Sequence, residues 1–332
     1  MTKVKDIGEQ GLLAKLQSFC PPEIIGDDAA VLETPPGTSL VVTTDVLVDG
    51  VHFSDATTSP EDAGWRAAAA NLSDLAAMGA TPLGITVGLG LPGDLQVSWV
   101  ERLYQGMTEC LQKYHTPIVG GDVVRSPTAT ISITAFGQVD PQRIIRRSAA
   151  KVGMAIVVTG VHGASHAGLQ LLLRPQLGQN LSPVEKTTLI KAHQRPQPRL
   201  DVLPILWEIF TSPLPVAGMD SSDGLADAVL QICRASNVGA VIDRQKIPFP
   251  AIFTNWLKPE QAIEYALYGG EDFELVLCLP PTQANALVQQ LNQDAAIIGT
   301  ITSGSQVLLR DQHQQIPDQV LSLSQGFQHF GQ

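Results

Sequence analysis

The most constraining feature of this 332-residue sequence is a set of aspartates inside or beside segments that otherwise look like buried strands. Asp45 lies in the run LVVTTDVLV, whose valines, leucines and threonines favour a β-strand, where aspartate is depleted. An ionised carboxylate near apolar strands costs several kcal/mol unless a cation, a metal or backbone amides compensate it. Further acidic motifs read IIGDDAAVL, VGGD, MDSSDG and YGGEDF beside other apolar segments, and NLSDLAAM places Asp74 in an alanine-rich predicted helix. The fold must therefore supply neutralising partners at several places.

The balance of charged residues favours metal ions as those partners. The sequence has 32 Asp and Glu against 21 Lys and Arg, and few of the basic residues lie near the acidic motifs. Clustered oxygen ligands without nearby cysteine suit Mg2+ better than Zn2+. Strand periodicity places Thr43 and Asp45 on one face, so Thr44 points away and needs its backbone carbonyl or a bulge for a role at the same site. Singly, each motif also has an ordinary explanation in turn chemistry or helix-terminus electrostatics.

Groups suited to phosphate accompany the aspartates. The segment Gly120-Gly121-Asp122 is predicted to be a turn whose glycines allow the backbone to approach a phosphate closely. Ser222 precedes a predicted helix and offers a hydroxyl beside the helix N-terminal amides. Arg146 and Arg147 are candidates for a phosphate clamp, with a solvated basic linker as the alternative.

The order of predicted elements favours an α+β fold with two domains. A polar, basic stretch at residues 140–151 marks the boundary, giving domains at residues 1–140 and 148–332. Predicted strands cover residues 29–32, 40–48, 83–91, 129–136, 154–159, 215–219, 238–243, 273–279 and 296–301. Predicted helices cover residues 61–78, 94–114, 165–173, 200–210, 222–235 and 282–291.

Composition and motif searches exclude several classes of protein. The net charge of -11 disfavours nucleic acid and anionic membranes as partners, and no apolar run is long enough to span a bilayer. Four cysteines without a CxxC pair predict reduced thiols and a cytoplasmic location. GLGLPG at residues 88–93 matches a dinucleotide fingerprint, but Pro92 favours a strand end and a turn, with Asp94 as the cap of the next helix. His162 and His166 are interpreted as residues on the face of one helix.

Taken together, the motifs resemble the thiamine-monophosphate kinase family, in the superfamily that includes aminoimidazole ribonucleotide synthetase. The matching stretches run in order from about residue 24 to residue 276, and they read IIGDDAAVL, TTDVLVDGVHF, NLSDLAAMGATP, IVGGDVVRSP, RSAAKVGMAIVVTG, MDSSDGLADA and YGGEDFELV. The combination of NLSDLAAMGA with DSSDGL and GGEDFE is far more specific than any glycine motif alone. A weaker aromatic match lies near Phe327, where the family often has Tyr or Trp.

The resemblance implies a fold, an activity and a set of site residues. It implies two α+β domains, an N-terminal one for ATP, Mg2+ and dimerisation and a C-terminal one completing the active site, with N-terminal sheets pairing in a homodimer. It implies ATP-dependent conversion of thiamine monophosphate to thiamine diphosphate with several Mg2+ ions. The implied Mg2+ ligands are Asp28, Thr43, Thr44, Asp45, Asp74, Asp122, Asp220 and Asp223. The implied ATP contacts are Gly121, Asp122, Arg147 and Ser222. The implied substrate contacts are His52, Glu271 and Phe327.

No residue is expected to act as a general acid, base or nucleophile, because positioning and charge neutralisation are sufficient for this reaction. Two alternatives remain at this point. One is another ATP-using enzyme of the same superfamily, and the other is a non-catalytic nucleotide-binding regulator. The selenophosphate branch has a reactive Cys or Sec in an N-terminal glycine-rich loop and the hydrogenase-maturation branch ends in Cys, and neither feature is present here.

Overall fold

The computed structural model describes residues 2–22, 24, 29–210, 216–291, 294–313 and 315–322. The chain divides into two compact units. Unit 1 comprises Met1–Leu75 and Ala80–Asp140, and unit 2 comprises Ala76–Gly79 and Pro141–Gln332.

Unit 1 is built on a four-stranded sheet with the strand order β1-β4-β2-β3. Strands β1/β4 and β4/β2 pair antiparallel, whereas β2 and β3 run parallel. In chain order the elements are α1 (Val4–Leu16), β1 (Ser39–Val48), α2 (Pro60–Ala77), β2 (Thr81–Leu91), α3 (Val97–Gln112), β3 (Ile118–Arg125) and β4 (Thr130–Val139).

The two faces of this sheet differ in burial. In β4 the side chains alternate, so that Ile131 and Ile133 are fully buried while their neighbours are partly exposed. In β1 the outward-facing Val42 and Val46 are about half exposed. Helices α2 and α3 cross closely where Gly64 and Gly106 have no side chain. A Cβ at either position would overlap the backbone of the other helix. One face of the sheet is thus buried, and the other is open and partly apolar.

Unit 2 contains a seven-stranded mixed sheet with the order β11-β10-β7-β9-β5-β8-β6. Its strands are β5 (Ala155–Val158), β6 (Ala217–Asp220), β7 (Gly239–Asp243), β8 (Leu275–Leu279), β9 (Ala296–Thr302), β10 (Val307–Arg310) and β11 (Gln319–Val320). Its helices are α4 (Ala164–Leu173), α5 (Pro183–Gln194), α6 (Val202–Ile209), α7 (Leu225–Ser236), α8 (Phe253–Trp256), α9 (Pro259–Tyr268) and α10 (Pro281–Leu291).

Strand β8 shows how unit 2 buries both faces of its sheet. Its five residues are all buried, and they alternate between two separate apolar clusters. Val276 and Cys278 join the cluster that includes α7, whereas Leu275 and Leu277 join the cluster that includes α6 and α10. Continuous apolar sequence of this kind is typical of strands covered on both sides. The expected α+β fold is confirmed.

Several predicted element boundaries are wrong. Residues 29–32 form no strand, and Val31 is 87% exposed, because a short apolar run without a pairing partner gains nothing from an extended ladder. Residues 120–122 lie inside β3 and not in a turn. Helix α3 is capped by Gln96 and not by Asp94, since residues 92–95 form a turn in which the Leu95 amide donates to the Pro92 carbonyl at 3.1 Å. That turn confirms the interpretation of the GLGLPG segment as a strand end.

Candidate active site

Strand β1 places Thr43 and Asp45 on its inner face, as its alternation predicted. The Thr43 hydroxyl donates a hydrogen bond to the carboxylate of Asp74 on α2. The Asp45 amide donates to the side-chain oxygen of Asn71 at 3.3 Å, one turn earlier on the same helix. Residues three apart share a helix face, so the NLSD motif presents both polar groups to β1. The structure therefore brings Thr43, Asp45 and Asp74 together.

Thr44 points to the open face of the sheet. Its hydroxyl lies 2.9 Å from that of Thr134 on β4. The register between β1 and β4 is continuous from residue 39 to residue 48, so no bulge turns Thr44 inward. The side chain of Thr44 is thus not placed with those of Thr43 and Asp45.

His52 follows β1 in a tight turn at the end of the strand. Its Nδ1 accepts a hydrogen bond from the Val48 amide at 3.0 Å, and its carbonyl accepts from Arg66 of α2 at 2.9 Å. Because Nδ1 is an acceptor, the neutral ring has its proton on Nε2. The turn therefore fixes the orientation of the ring and leaves Nε2 as the side-chain donor.

Asp122 is exposed in strand β3, and one of its carboxylate oxygens accepts from the Val123 amide at 2.9 Å. Gly121 pairs with Val87 of the parallel strand β2, and a Cβ at this position would overlap the Val87 carbonyl oxygen. The need for glycine at residue 121 thus comes from the close approach of two strands. The prediction that this glycine belongs to a phosphate-binding turn is wrong.

In unit 2 the motif DSSDG connects β6 to α7. Asp220 ends β6 and is buried, and its carboxylate accepts from the Ser222 hydroxyl at 3.1 Å. Gly224 has φ 101° and precedes the first residue of α7, so the helix starts three residues later than predicted. Ser222 therefore lies in the connecting loop, just before the helix.

The loop is pinned by His162. Its Nε2 lies 3.1 Å from the Ser221 hydroxyl, and burial lowers the pKa of His162 to about 4, which keeps the ring neutral. His162 is fully buried and lies just before Gly163, the N-cap of α4. Its assignment to a helix face is therefore wrong, whereas His166 does lie on α4. This contact could not be predicted from local sequence patterns, because Ser221 is remote from His162 along the chain.

Arg147 is exposed in a short 3-10 turn spanning Arg147–Ala149. The Ser236 hydroxyl at the end of α7 donates to the Arg147 carbonyl at 2.7 Å and accepts from the Ala150 amide at 3.0 Å. Asp227 of α7 is a further acidic residue of this region that the sequence analysis missed. Burial and the nearby Asp223 raise the pKa of Asp227, while Arg147 lowers it. In the helix predicted over residues 222–235, the spacing of four places Asp223 and Asp227 on one face, and this was the available signal, although α7 itself begins only at Leu225.

The segment YGGEDF is folded against the DSSDG loop. The Glu271 amide donates to the Ser222 carbonyl at 2.7 Å. Glu271 and Phe273 have φ values of 68° and 53°, which are unusual for residues with side chains. The structure therefore brings Ser222, Asp220 and Glu271 into one local site, although the two motifs are widely separated in the sequence.

Two predicted site residues, Asp28 and Phe327, lie outside the described residues. Within the described ranges no group of three or more His, Cys, Asp and Glu side chains has the geometry of a metal site. The donors of unit 1 are all hard oxygens: the Thr43 hydroxyl and the carboxylates of Asp45 and Asp74 lie together, whereas the Asp122 carboxylate lies on β3, at the opposite edge of the sheet from β1. Their chemistry fits Mg2+ and does not fit softer metals.

Comparison with known proteins identifies the family. Residues 26–139 match the N-terminal domain, and residues 151–311 the C-terminal domain, of AIR synthase related proteins. A thiamine-monophosphate kinase of Synechococcus elongatus is 55% identical over 98% of this chain and 98% of its own length. The chain belongs to the thiamine-monophosphate kinase family.

Solved structures of the thiamine-monophosphate kinase family have the same fold. The enzyme from Stenotrophomonas maltophilia has a TM-score of 0.78 at 33% identity, covering 90% of this chain and 94% of its own. AaThiL complexed with AMPPCP and TMP has a TM-score of 0.73 at 32% identity, covering 96% and 99% of the two chains. In the part of the chain that the structure describes, no helix is both long and apolar enough to cross a bilayer.

Proposed function

We propose that this chain transfers the γ-phosphoryl group of ATP directly to the phosphate of thiamine monophosphate, giving thiamine diphosphate and ADP. The observation that carries the activity is the near full-length similarity to thiamine-monophosphate kinases, one of which has been solved with AMPPCP and TMP together. A single complex with a nucleotide analogue and the acceptor supports direct transfer.

The absence of a general base among the predicted site residues has a chemical reason. The second pKa of a phosphate monoester is about 6, so the attacking oxygen is mostly deprotonated at neutral pH.

The Mg2+ ions are proposed to be held by oxygen donors from the acidic motifs of unit 1 and from those of unit 2. Asp45 and Asp74 of unit 1, with Thr43 orienting Asp74, form one donor set, and Asp122 on the opposite edge strand β3 is a separate ligand of this unit. Asp220 and Asp223 of unit 2 form a second, and Asp28 and the carbonyl of Thr44 remain members by resemblance. When bound, Mg2+ neutralises phosphate charge and orients the transferred group. The aspartates would hold the Mg2+ ions, and the binding of the two substrates would align them for in-line transfer.

The remaining site residues are assigned to the two substrates. Gly121, Asp122, Arg147 and Ser222 are proposed to contact ATP, with the Ser222 hydroxyl oriented by Asp220. Glu271, Phe327 and the Nε2 of His52 are proposed to contact thiamine monophosphate. In domain terms, residues 1–140 bind ATP and Mg2+ and mediate dimerisation, and residues 148–332 supply the remaining contacts. A cytoplasmic location agrees with four free cysteines, three of them buried.

A homodimer is proposed to form through the open face of the sheet in unit 1. Leu40, Val42 and Val46 of β1 are 56%, 53% and 47% exposed, and Val124 of β3 is 56% exposed. Exposed apolar side chains grouped on one sheet are typical of interaction surfaces. A second copy of the same face would bury them symmetrically.

The test is a coupled assay of ADP formation with ATP, Mg2+ and thiamine monophosphate, run in parallel with carboxamide acceptors. Turnover only with thiamine monophosphate supports the proposal, and turnover only with another acceptor would favour the wider superfamily. Nucleotide binding without turnover over hours would favour a non-catalytic regulator. With ATP that is chiral at the γ-phosphorus, direct transfer gives inversion, whereas net retention would indicate a phosphoenzyme.

Asp45→Asn tests the metal ligands separately from the fold. The amide keeps the shape of the side chain but loses the charge that attracts Mg2+, so we expect activity to fall at least 100-fold, roughly 3 kcal/mol of transition-state stabilisation. Thermal unfolding of the variant should stay close to that of the wild type. Turnover near the wild-type rate would exclude Asp45 as a ligand.

A further inference from the structure

Glu271 lies in a loop whose backbone is held in an unfavourable conformation. Glu271 and Phe273 both have left-handed φ values, 68° and 53°, on either side of Asp272. Such a conformation persists only when surrounding contacts determine it, and it tends to occur at functional sites. The contacts around this loop therefore show which of its side chains is being positioned.

Two of the three acidic side chains in the loop act as anchors. Asp272 accepts from the amides of Gly163 at 2.6 Å and Ser165 at 2.8 Å, at the N-terminus of α4. Glu274 pairs with Arg199 and accepts from the Thr159 hydroxyl at 2.5 Å. These contacts fix the loop after Glu271, and the Ser222 carbonyl fixes its amide.

The third acidic side chain, Glu271, points to a buried histidine. Its Oε2 lies 3.5 Å from Nδ1 of His193, which is 2% exposed, while the Glu271 side chain is 33% exposed. The Ser165 hydroxyl oxygen lies 3.3 Å from the same Nδ1, so the one Nδ1 proton is shared between the carboxylate and the hydroxyl oxygen, and both accept. One carboxylate oxygen is therefore held from the protein side, while the group keeps access to solvent.

The packing of α4 on α5 brings His193 to this position. A Cβ at Gly168 would overlap the Leu189 carbonyl oxygen and would lie 3.0 Å from Cβ of His193. The glycine lets the two helices approach until the histidine side chain reaches Ser165, near the start of α4. An apolar residue would fill the same buried space without the cost of burying a polar ring, so packing alone does not account for histidine here.

We propose that His193, oriented by Ser165, is a positioning residue that holds the Glu271 carboxylate in the orientation that binds the acceptor. The proposal rests on the proposed function, in which Glu271 contacts thiamine monophosphate. His193 touches neither substrate, and its effect passes through Glu271. Loss of the buried partner leaves the carboxylate to sample other rotamers, which weakens acceptor binding but leaves ATP binding unchanged.

The central variant is His193→Leu, assayed for kcat, for KM of both substrates and for thermal unfolding. We expect KM for thiamine monophosphate to rise roughly tenfold, the effect of removing one partner of a hydrogen-bonded charged group. KM for ATP and kcat should change less than about threefold. His193→Asn keeps a polar atom near the position of Nδ1, and it should recover most of the lost affinity.

Leu189→Ala is the matched control, because Leu189 lies one turn earlier on α5 and is buried without a polar contact. It should lower the unfolding temperature and leave both KM values unchanged. In a Glu271→Ala background, which lacks the group that His193 contacts, His193→Leu should have no further effect on KM for thiamine monophosphate. If His193→Leu does not fold, His193→Gln, whose amide lies nearer the position of Nε2, should raise the same KM.

The outcomes separate this inference from the proposed function. If the wild-type protein fails to phosphorylate thiamine monophosphate, both are overturned. If the wild type is active but the His193 variants keep a wild-type KM for the acceptor, or raise KM for ATP equally, only the positioning role is overturned.

Discussion

Asp272 is a buried carboxylic acid in the loop that follows the paired glycines. Burial raises its pKa to about 7, against the opposing effect of two backbone amides that donate to it, and neighbouring Glu274 and Glu271 add to the rise. A raised pKa in the folded state means a contribution to stability that is fully present below the unfolded pKa of 3.8 and is lost as the pH rises through about 7. Between pH 5.5 and pH 8 this loss amounts to about 2 kcal/mol.

The variant Asp272→Asn removes this titration. We expect the free energy of unfolding of the wild type, relative to the variant, to fall by about 2 kcal/mol from pH 5.5 to pH 8, measured by urea denaturation at each pH. Asp318→Asn, which changes an exposed carboxylate paired with Arg310, is the control and should follow the wild type. Parallel pH profiles for the wild type and Asp272→Asn would contradict the raised pKa.

Thr43 orients one of the proposed metal ligands. Its hydroxyl donates to the Asp74 carboxylate, so Thr43→Val removes this orienting hydrogen bond. We expect kcat/KM to fall roughly tenfold, about 1.4 kcal/mol, in the coupled kinase assay. Thr43→Ser keeps the donor and should retain most of the activity. Equal losses in the two variants would contradict the orienting role of the hydroxyl, and an active Thr43→Val beside an impaired Thr43→Ser would show that the methyl group is what matters at this position.

At the scale of elements, the parallel pairing of β2 and β3 depends on one glycine. A Cβ at Gly121 would overlap the Val87 carbonyl oxygen, whereas a Cβ at Gly120 would meet only the Thr86 Cγ2 at 3.5 Å. Gly121→Ala must separate the strands and should destabilise the protein by about 1–3 kcal/mol. Gly120→Ala, its neighbour in the same strand, should change stability by less than about 1 kcal/mol. Urea denaturation of both variants checks this, and equal midpoints would contradict the explanation.

Local patterns predicted the elements whose apolar periodicity is uninterrupted. Strand β1 and helix α2 match their predictions closely, including the end of α2 before Gly79, which has φ 75°. Strand β3 was missed because Gly-Gly-Asp favours a turn, and only the approach of β2 explains the glycine there. Helix α5 was missed although Ser182 and Glu185 form a capping box, a signal that was legible in the sequence.

The candidate site was predictable as a set of residues but not as an arrangement. Thr43 and Asp45 were placed on one face by strand alternation, and the structure agrees. The hydrogen bond between Ser222 and Glu271, and the contact between His193 and Glu271, join segments that are far apart in the chain. No local periodicity encodes such pairings, because they depend on which strands become neighbours in the sheet.

At the scale of the whole molecule, the open face of the unit 1 sheet is the feature that bears on assembly. Leu40, Val42 and Val46 project from β1 onto this face, and exposed apolar side chains on one face of a sheet favour association with another chain. A symmetric pairing of two such faces places each β1 side chain against the same surface of the second copy. A single charge introduced there therefore enters the interface twice.

Val42→Lys should convert the proposed dimer to a monomer, because two ammonium groups would be buried without partners in the symmetric interface. Light scattering during size exclusion should give a mass near 35.4 kDa for the variant and about twice that value for the wild type. Val31→Lys makes the same substitution at a residue that is 87% exposed and outside the sheet, and it should remain dimeric. A wild-type mass of one chain, or a dimer in Val42→Lys, would show that this face does not mediate assembly.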